Sequence, residues 1–224
     1  MSRETWDIVD RYINDTLVGS DPVLEAAVQA SVEAGLPEIA VTPSQGKLLH
    51  LLALATRARR VLEIGTLGGY SAIWLGRALP PDGRLVTLEA DPKHAEIARA
   101  NLDRAGLTEK VEIRLGAALD TLPKLAAEGE GEFDLVFIDA DKANIPEYVT
   151  WALRLSHPGS MLVIDNVVRD GKVVDEFSDD ADVRGVRRAN DLLAADPRIS
   201  ATVLQTVGLK GYDGLAIALV TDGG

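Results

Sequence analysis

The chain has 224 residues, a length typical of one domain or of one domain with a short extension. Its net charge of −12 argues against a nucleic-acid-binding protein, because such proteins normally carry an excess of basic residues. The absence of cysteine excludes disulfides and thiolate metal sites and fits a cytoplasmic protein. The polar N-terminus lacks the apolar run of a signal peptide, and no stretch approaches the roughly 20 apolar residues of a membrane span.

The first 57 residues are predicted to form a helical cap. Amphipathic patterns predict helices over 3–18 and 22–34, separated by a Gly-Ser-Asp-Pro break. A third helix over 43–56 is predicted to begin at Thr42, which can cap it while Gln45 bonds back in a capping box.

From residue 60 onward, strands alternate with helices. Strands are predicted over 60–64, 84–88, 111–115, 133–138 and 159–164, with helices over 70–79, 92–105, 118–126 and 145–155. A helix over 181–194 then precedes two final strands, 200–205 and 215–220, expected to form an edge hairpin. This alternation predicts an α/β fold with a mostly parallel sheet covered on both faces. We expect a single domain over 1–224, with the cap over 1–57 and the core over 58–224.

The first strand ends in a glycine-rich turn, Glu63-Ile-Gly-Thr-Leu-Gly-Gly69. The glycine spacing differs from the Gly-x-Gly-x-x-Gly of dinucleotide sites, and the Glu63 carboxylate would repel a pyrophosphate. A ligand with a positive charge would not be repelled. Glu89 ends the second strand, where an acid can accept hydrogen bonds from ribose hydroxyls. The alternative is an ordinary strand-end turn with a solvated glutamate.

Acidic residues also follow the fourth and fifth predicted strands, which we expect to be neighbours. Asp139, Asp165 and Asn166 would then meet at the same sheet edge and offer oxygen ligands for Mg²⁺, with Ca²⁺ or Mn²⁺ as alternatives. Asp141 can instead cap the next helix. Lys142, beside such a site, can serve as a base, although a solvated loop lysine is the alternative. The three histidines are expected at surface or packing positions: His50, His94 and His157.

Three motifs together resemble those of cation-dependent, S-adenosylmethionine-dependent O-methyltransferases, the family that contains caffeoyl-CoA and catechol O-methyltransferases. The motifs are Val61-Leu-Glu-Ile-Gly-Thr-Leu-Gly-Gly-Tyr-Ser71, Phe137-Ile-Asp-Ala-Asp-Lys142 and Asp165-Asn166. The resemblance extends from about residue 17 to residue 220. It implies a Rossmann-like class I methyltransferase fold whose seven-stranded, mostly parallel sheet has an antiparallel edge strand. It also implies a homodimer.

The resemblance assigns site residues position by position. The implied cofactor contacts are the Val41 backbone, Glu63 and Gly65 at the methionine part, Ser71 at its carboxylate, Glu89 at the ribose, Ala118 at the adenine, and also Thr66 and Asp139. The implied cation ligands are Asp139, Asp165 and Asn166, and the implied base is Lys142. The expected reaction is direct methyl transfer to a hydroxyl of a small aromatic, catechol-like acceptor, without nucleic-acid or membrane partners.

Two departures from the mammalian catechol enzymes concern the acceptor pocket. Ala216 stands where those enzymes carry an acid in the last strand, and Asp141 replaces an aromatic residue. The N-terminal helices and the 168–180 segment, with Arg169, Lys172 and Phe177, are expected to shape this pocket.

The sequence leaves three other functions to compare with this one. A metal-independent small-molecule methyltransferase stays open. A nicotinamide-dependent oxidoreductase is disfavoured by Glu63 and by the glycine spacing. A non-catalytic cofactor-binding protein is disfavoured by Lys142 beside the acidic set.

Overall fold

Seven strands form one mixed sheet in the computed structural model, which describes residues 2–129 and 131–223. The strands are β1 (Arg60–Ile64), β2 (Arg84–Glu89), β3 (Val111–Leu115), β4 (Phe133–Ile138), β5 (Ser156–Asp165), β6 (Ile199–Gly208) and β7 (Gly211–Val220). Their order across the sheet is β3-β2-β1-β4-β5-β7-β6. Strands β1 to β5 are parallel, and β7 is antiparallel to both of its neighbours, β5 and the edge strand β6. The predicted α/β fold is confirmed, whereas Met1 and Gly224, the ends of the predicted domain, lie outside the described residues.

The helices begin where the sequence supplies caps. They are α1 (Arg3–Ile13), α2 (Pro22–Glu33), α3 (Pro43–Ala55), α4 (Tyr70–Ala78), α5 (Pro92–Arg104), α6 (Ala118–Glu128), α7 (Ile145–Arg154) and α8 (Ala181–Ala195). A π-helical turn, Asn14–Val18, continues α1. The capping box of α3 is present, since the Gln45 backbone N–H donates to the Thr42 hydroxyl (3.2 Å) and the Thr42 N–H donates to the Gln45 side chain (3.0 Å).

The core consists of two apolar layers, one on each face of the sheet. Leu62 and Ile64 of β1 pack with residues of α6, α7 and α8, whereas Val61 packs with residues of α2 to α5. Successive strand residues point to opposite faces, so a strand buried on both faces is apolar along most of its length. The helices cover both faces and leave the carboxyl edge of the strands for a site.

The final hairpin is longer than predicted, because β6 and β7 have ten residues each and pair up to Gly208 and Gly211. Gly211 adopts a positive φ of 96°, which suits a tight connection. The turn is anchored to α1, since the Leu209 N–H donates to the Asp10 carboxylate at 2.8 Å. Most of β6 is exposed, so its apolar residues gave no burial pattern that marked its ends.

Within residues 2–129 and 131–223, none of the helices combines the length and apolar character needed to cross a bilayer.

Candidate active site

The glycine turn after β1 lies against the end of β4. Gly65 has a φ of 103°, and its N–H donates to the Leu88 carbonyl at 3.0 Å. A Cβ at this position would lie 2.2 Å from the Asp139 carbonyl oxygen and 2.8 Å from its carbon. Any larger residue would therefore displace one of the two strand ends, so the turn and Asp139 are held together by this close approach.

Glu63 is a fully buried carboxylate beneath this turn. The Thr87 hydroxyl donates to its Oε2 at 2.6 Å, and the Thr66 hydroxyl lies 2.6 Å from that of Thr87. Burial raises the pKa of Glu63 to about 7, while the nearby Ser71 and Thr87 hydroxyls oppose the rise. Among the described residues, Oε1 has no hydrogen-bond partner of normal geometry. A buried carboxylate with a free oxygen suits a ligand that brings a donor or a positive charge.

Glu89, at the end of β2, is pre-oriented by backbone donors. Its Oε2 accepts from the Leu67 N–H at 2.7 Å, and its Oε1 accepts from the Asp91 N–H at 2.9 Å. The His94 Nδ1 atom lies 3.5 Å from Oε1. His94 was expected at a surface or packing position, and it lies beside the predicted ribose contact. Each carboxylate oxygen keeps a further lone pair for a ligand hydroxyl.

The acidic residues predicted to converge do so at the ends of β4 and β5. These strands are parallel neighbours with Ile138 opposite Ile164, so Asp139 and Asp165 leave the sheet side by side. Burial and the Asp139 charge raise the pKa of Asp165, and the Lys142 charge lowers it. The Lys142 ammonium lies 2.6 Å from Asp139 Oδ1. Asn166 follows with a φ of 61°, and its N–H donates to the Asp165 carboxylate at 2.8 Å.

This donor set fits a divalent cation. In the described part of the chain, no three His, Asp or Glu side chains group as a metal cluster, and the predicted set has two carboxylates and one amide. Asp165 is only 4% exposed, and the Lys142 ammonium pairs directly with Asp139. A buried carboxylate whose pKa is raised by burial and by a second carboxylate would be stabilised by an added positive charge.

Lys142 itself is held by a contact that the sequence pattern did not indicate. It is buried in a 3₁₀ turn, Lys142–Asn144, and α8 packs against it through Gly185. A Cβ on Gly185 would lie 2.2 Å from the Lys142 carbonyl oxygen. The prediction that Asp141 caps the next helix is wrong, because its carboxylate makes no capping bond to a backbone N–H. It accepts instead from two side chains, Tyr148 Oη at 2.5 Å and the Asn144 amide at 2.6 Å.

A second lysine near the acidic set was also not predicted. The Lys210 ammonium, in the β6–β7 turn, donates to the carbonyl of Ala40, the residue before Val41. Loss of solvent around this ammonium lowers the pKa of Lys210, and the charges of Asp139 and Asp165 oppose the fall. The two residues are 170 positions apart and meet only because the β6–β7 hairpin packs near α3, so no local motif could have indicated this contact.

The remaining predicted positions lie at the margins of this edge. Val41 is buried just before α3, and Ala118 is the first residue of α6. The adjacent Gly116 N–H donates to the Glu89 carbonyl at 2.8 Å, which joins the end of β3 to β2.

On the acceptor side, Ala216 pairs with Ile164 and is buried, so no acid occupies that position. In the 168–180 segment, the Arg169 side chain bonds the Asp182 carboxylate at 3.0 Å, whereas Phe177 is 84% exposed. Phe177 therefore contributes little to an enclosed pocket in this conformation.

The strand order, the glycine turn after β1 and the acid that ends β2 define a Rossmann-like class I methyltransferase fold. Residues 14–219 match the family model described as O-methyltransferase. Catechol O-methyltransferases from Niastella koreensis and Mycobacterium tuberculosis are 55% and 57% identical, over 98% and 95% of this chain and 100% and 94% of their own lengths. The structure of an O-methyltransferase from Bacillus cereus in complex with SAH is 54% identical, with a TM-score of 0.97, over 98% of this chain and 100% of its own.

The chain therefore belongs to the O-methyltransferase family. It is an S-adenosylmethionine-dependent enzyme of this class, as the sequence motifs predicted. This assignment removes the oxidoreductase and non-catalytic alternatives.

Proposed function

We propose that the protein methylates one hydroxyl of a small aromatic compound with vicinal hydroxyl groups, and that it requires a divalent cation, with Mg²⁺ as the first candidate. The observation that carries this proposal is the meeting of Asp139, Asp165, Asn166 and Lys142 beside the glycine turn. The names of the two catechol O-methyltransferases support the same acceptor class.

In this proposal, Asp139, Asp165 and Asn166 hold the cation. The bound cation supplies Lewis-acid chemistry, which makes a chelated hydroxyl more acidic. Lys142 Nζ, as the neutral amine after its own proton has passed to solvent, takes the hydroxyl proton, and the acceptor oxygen bonds to the methyl carbon as the sulfur–methyl bond breaks. The buried surroundings of Lys142 keep bulk water from the transferred proton.

The methyl donor is proposed to lie over the glycine turn. Glu63 Oε1, which has no hydrogen-bond partner of normal geometry in the described part of the chain, would accept from the cationic amino-acid part, with Gly65, Thr66 and Ser71 beside it. Asp139 and the Val41 backbone complete this part of the donor site. Glu89 would accept from the ribose hydroxyls, with Ala118 at the adenine. Because the ends of β1 and β4 meet at Gly65, the proposed donor and acceptor sites are adjacent. Holding two reactants next to each other in this way raises the reaction rate.

The central test compares turnover of a catechol with S-adenosylmethionine and Mg²⁺, with and without EDTA. We expect EDTA to abolish turnover and Mg²⁺ to restore it. Asp165→Ala should reduce turnover by more than roughly 100-fold, which is the largest effect typical of substitutions that only contact a metal ligand. Asp191→Ala, at an exposed position of α8 outside the predicted acceptor pocket, is the matched control and should keep wild-type activity. Turnover that EDTA leaves unchanged would favour the metal-independent methyltransferase.

The acceptor itself requires a screen across catechols, flavonoids and hydroxycinnamoyl thioesters, with the methylated position identified in each product. Since Ala216 supplies no acid to hold the second hydroxyl, we expect both positions of an asymmetric catechol to be methylated. Methylation of only one position of an asymmetric catechol would contradict this expectation.

We also propose a homodimer formed through α1. This helix exposes Ile8 (55%), Val9 (48%) and Tyr12 (67%), an apolar surface that burial would stabilise. Light scattering should give twice the chain mass for the wild type and the monomer mass for Tyr12→Asp. Leu192→Asp, which adds the same charge to an exposed apolar position of α8, should stay dimeric. A monomeric wild type at micromolar concentration would contradict the proposal.

A further inference from the structure

The turn after β5 has an unusual backbone. Asn166, Arg169 and Asp170 have φ values of 61°, 55° and 54°, and Gly171 has a φ of 83°. Residues other than glycine rarely adopt this region, so such a turn keeps its shape only where other parts of the fold hold it. The turn includes Asn166, one of the proposed cation ligands, and its shape therefore decides where that ligand lies.

Asp213, near the start of β7, supplies the contacts that hold the turn. Its Oδ1 accepts from the N–H groups of Val168 (2.9 Å), Arg169 (3.0 Å) and Gly214 (2.9 Å). A carboxylate that accepts several N–H bonds makes stronger hydrogen bonds than a neutral acceptor does. Asp213 Oδ1 thus joins β7 to Val168 and Arg169, which follow Asn166 by two and three residues.

The neighbouring glycine closes the same junction. The Val167 N–H donates to the Gly214 carbonyl at 3.1 Å. A Cβ on Gly214 would lie 2.5 Å from the Val168 side chain and 2.7 Å from the Leu204 carbonyl oxygen. The strand and the turn therefore pack without space between them, and β7 also pairs directly with β5, with Leu215 opposite Asp165.

We infer that Asp213 is a positioning residue that holds Asn166 in the geometry needed for cation binding, an inference that rests on the proposed cation site. Asp213 acts through the backbone of 167–169, because its Oδ1 accepts from the N–H groups of Val168 and Arg169 as well as from that of Gly214. The contact is made between segments 45 residues apart, so it couples the last hairpin of the sheet to the end of β5.

The test measures Mn²⁺ binding directly, by electron paramagnetic resonance of free Mn²⁺, without methyl donor or acceptor. Asp213→Ala should weaken Mn²⁺ binding 10- to 100-fold, as loss of an outer-shell partner does at metal sites. Asp213→Asn keeps an acceptor oxygen in the same place and should recover binding to within about threefold of the wild type. S-adenosylmethionine affinity, measured by calorimetry, should change less than threefold in both variants, and Asp191→Ala, which removes an exposed carboxylate of α8, should match the wild type throughout.

The outcomes separate the two proposals. If the wild type binds no Mn²⁺, the cation site itself is refuted, and the role of Asp213 with it. If the wild type binds Mn²⁺ and folded Asp213→Ala binds it equally well, only the positioning role is overturned. Equal losses of Mn²⁺ and S-adenosylmethionine affinity would also overturn it, since they indicate general disruption. Should Asp213→Ala fail to fold, Asp213→Ser, whose oxygen lies one bond nearer the backbone, is expected to show the same selective loss.

Discussion

Replacing Glu63 with glutamine should stabilise the ligand-free protein at alkaline pH while weakening its hold on the methyl donor. The carboxylate is fully buried, and burial raises its pKa from 4.5 to about 7. A carboxyl whose pKa is raised by folding supports the folded state most at pH values below 4.5, and this contribution is lost as the pH rises through 7. Glutamine has the same shape and carries no charge, so it removes this dependence on pH.

The magnitude follows from the two pKa values. Relative to a carboxyl with an unshifted pKa, Glu63 lowers the free energy of unfolding by roughly 1 kcal/mol at pH 5.5 and by roughly 3 kcal/mol at pH 8.5. The glutamine amide leaves a donor without a partner, which costs about 1–3 kcal/mol at both pH values. The difference between the two pH values, about 2 kcal/mol, is therefore the informative quantity. For a chain of 224 residues it corresponds to about 4–8 °C in melting temperature.

Urea unfolding of the ligand-free wild type and Glu63→Gln at pH 5.5 and 8.5 measures this quantity. Calorimetry should also show S-adenosylmethionine affinity reduced by roughly tenfold or more, the effect of losing a hydrogen bond to a charged group. Glu96→Gln removes the same charge from an exposed position of α5 and should change neither measurement. If Glu63→Gln gains no more stability at pH 8.5 than at pH 5.5, the carboxylate is not destabilised by burial and the reasoning fails.

Two further predictions concern packing and pH. Gly185→Ala should push α8 away from the Lys142 turn and lower the free energy of unfolding by about 1–3 kcal/mol, as measured by urea unfolding. A variant with wild-type stability and turnover would contradict the close contact. The Pro158 carbonyl and then the Asp134 carboxylate, 3.0 Å from the His157 ring, raise the pKa of His157 above 6.5. This contribution to stability is full below pH 6.5 and is lost as the pH rises through the raised pKa, so His157→Gln should be less stable than the wild type at pH 6 and equal to it at pH 9.

Local rules predicted most of the fold. The strands over 60–64 and 133–138 have the predicted bounds, because mostly apolar runs between turns are typical of strands buried on both faces. The edge strand over 111–115 also has the predicted bounds, although only Val111 in it is buried. The start of α3 was also predicted correctly, since Thr42 and Gln45 provide a complete capping box. The two final strands were underestimated because their length depends on pairing with each other and with β5, which is decided by the assembled sheet.

The candidate site was predictable only where its residues end strands. Parallel neighbours bring Asp139 and Asp165 together once the strand order is known. Contacts across long sequence distances carried no local signal: Lys210 reaches Ala40 across 170 residues, and Asp213 bonds Val168 across 45. His94 lies within a helix whose sequence does not reveal that its first turn faces Glu89. These contacts arise from tertiary packing, which residue spacing along the chain does not encode.

The close approach of Gly65 to the Asp139 carbonyl has a consequence for engineering this enzyme. With no room for even a methyl group between them, the spacing between donor turn and acid-bearing strand end is a fixed dimension of the scaffold. Larger acceptors cannot be admitted by widening this junction. Moving the end of β1 or of β4 would shift the glycine turn and Asp139 together. Libraries that aim to change acceptor size should leave residue 65 unaltered and diversify the 172–180 segment, where exposed side chains such as Val174 and Phe177 leave room for new walls.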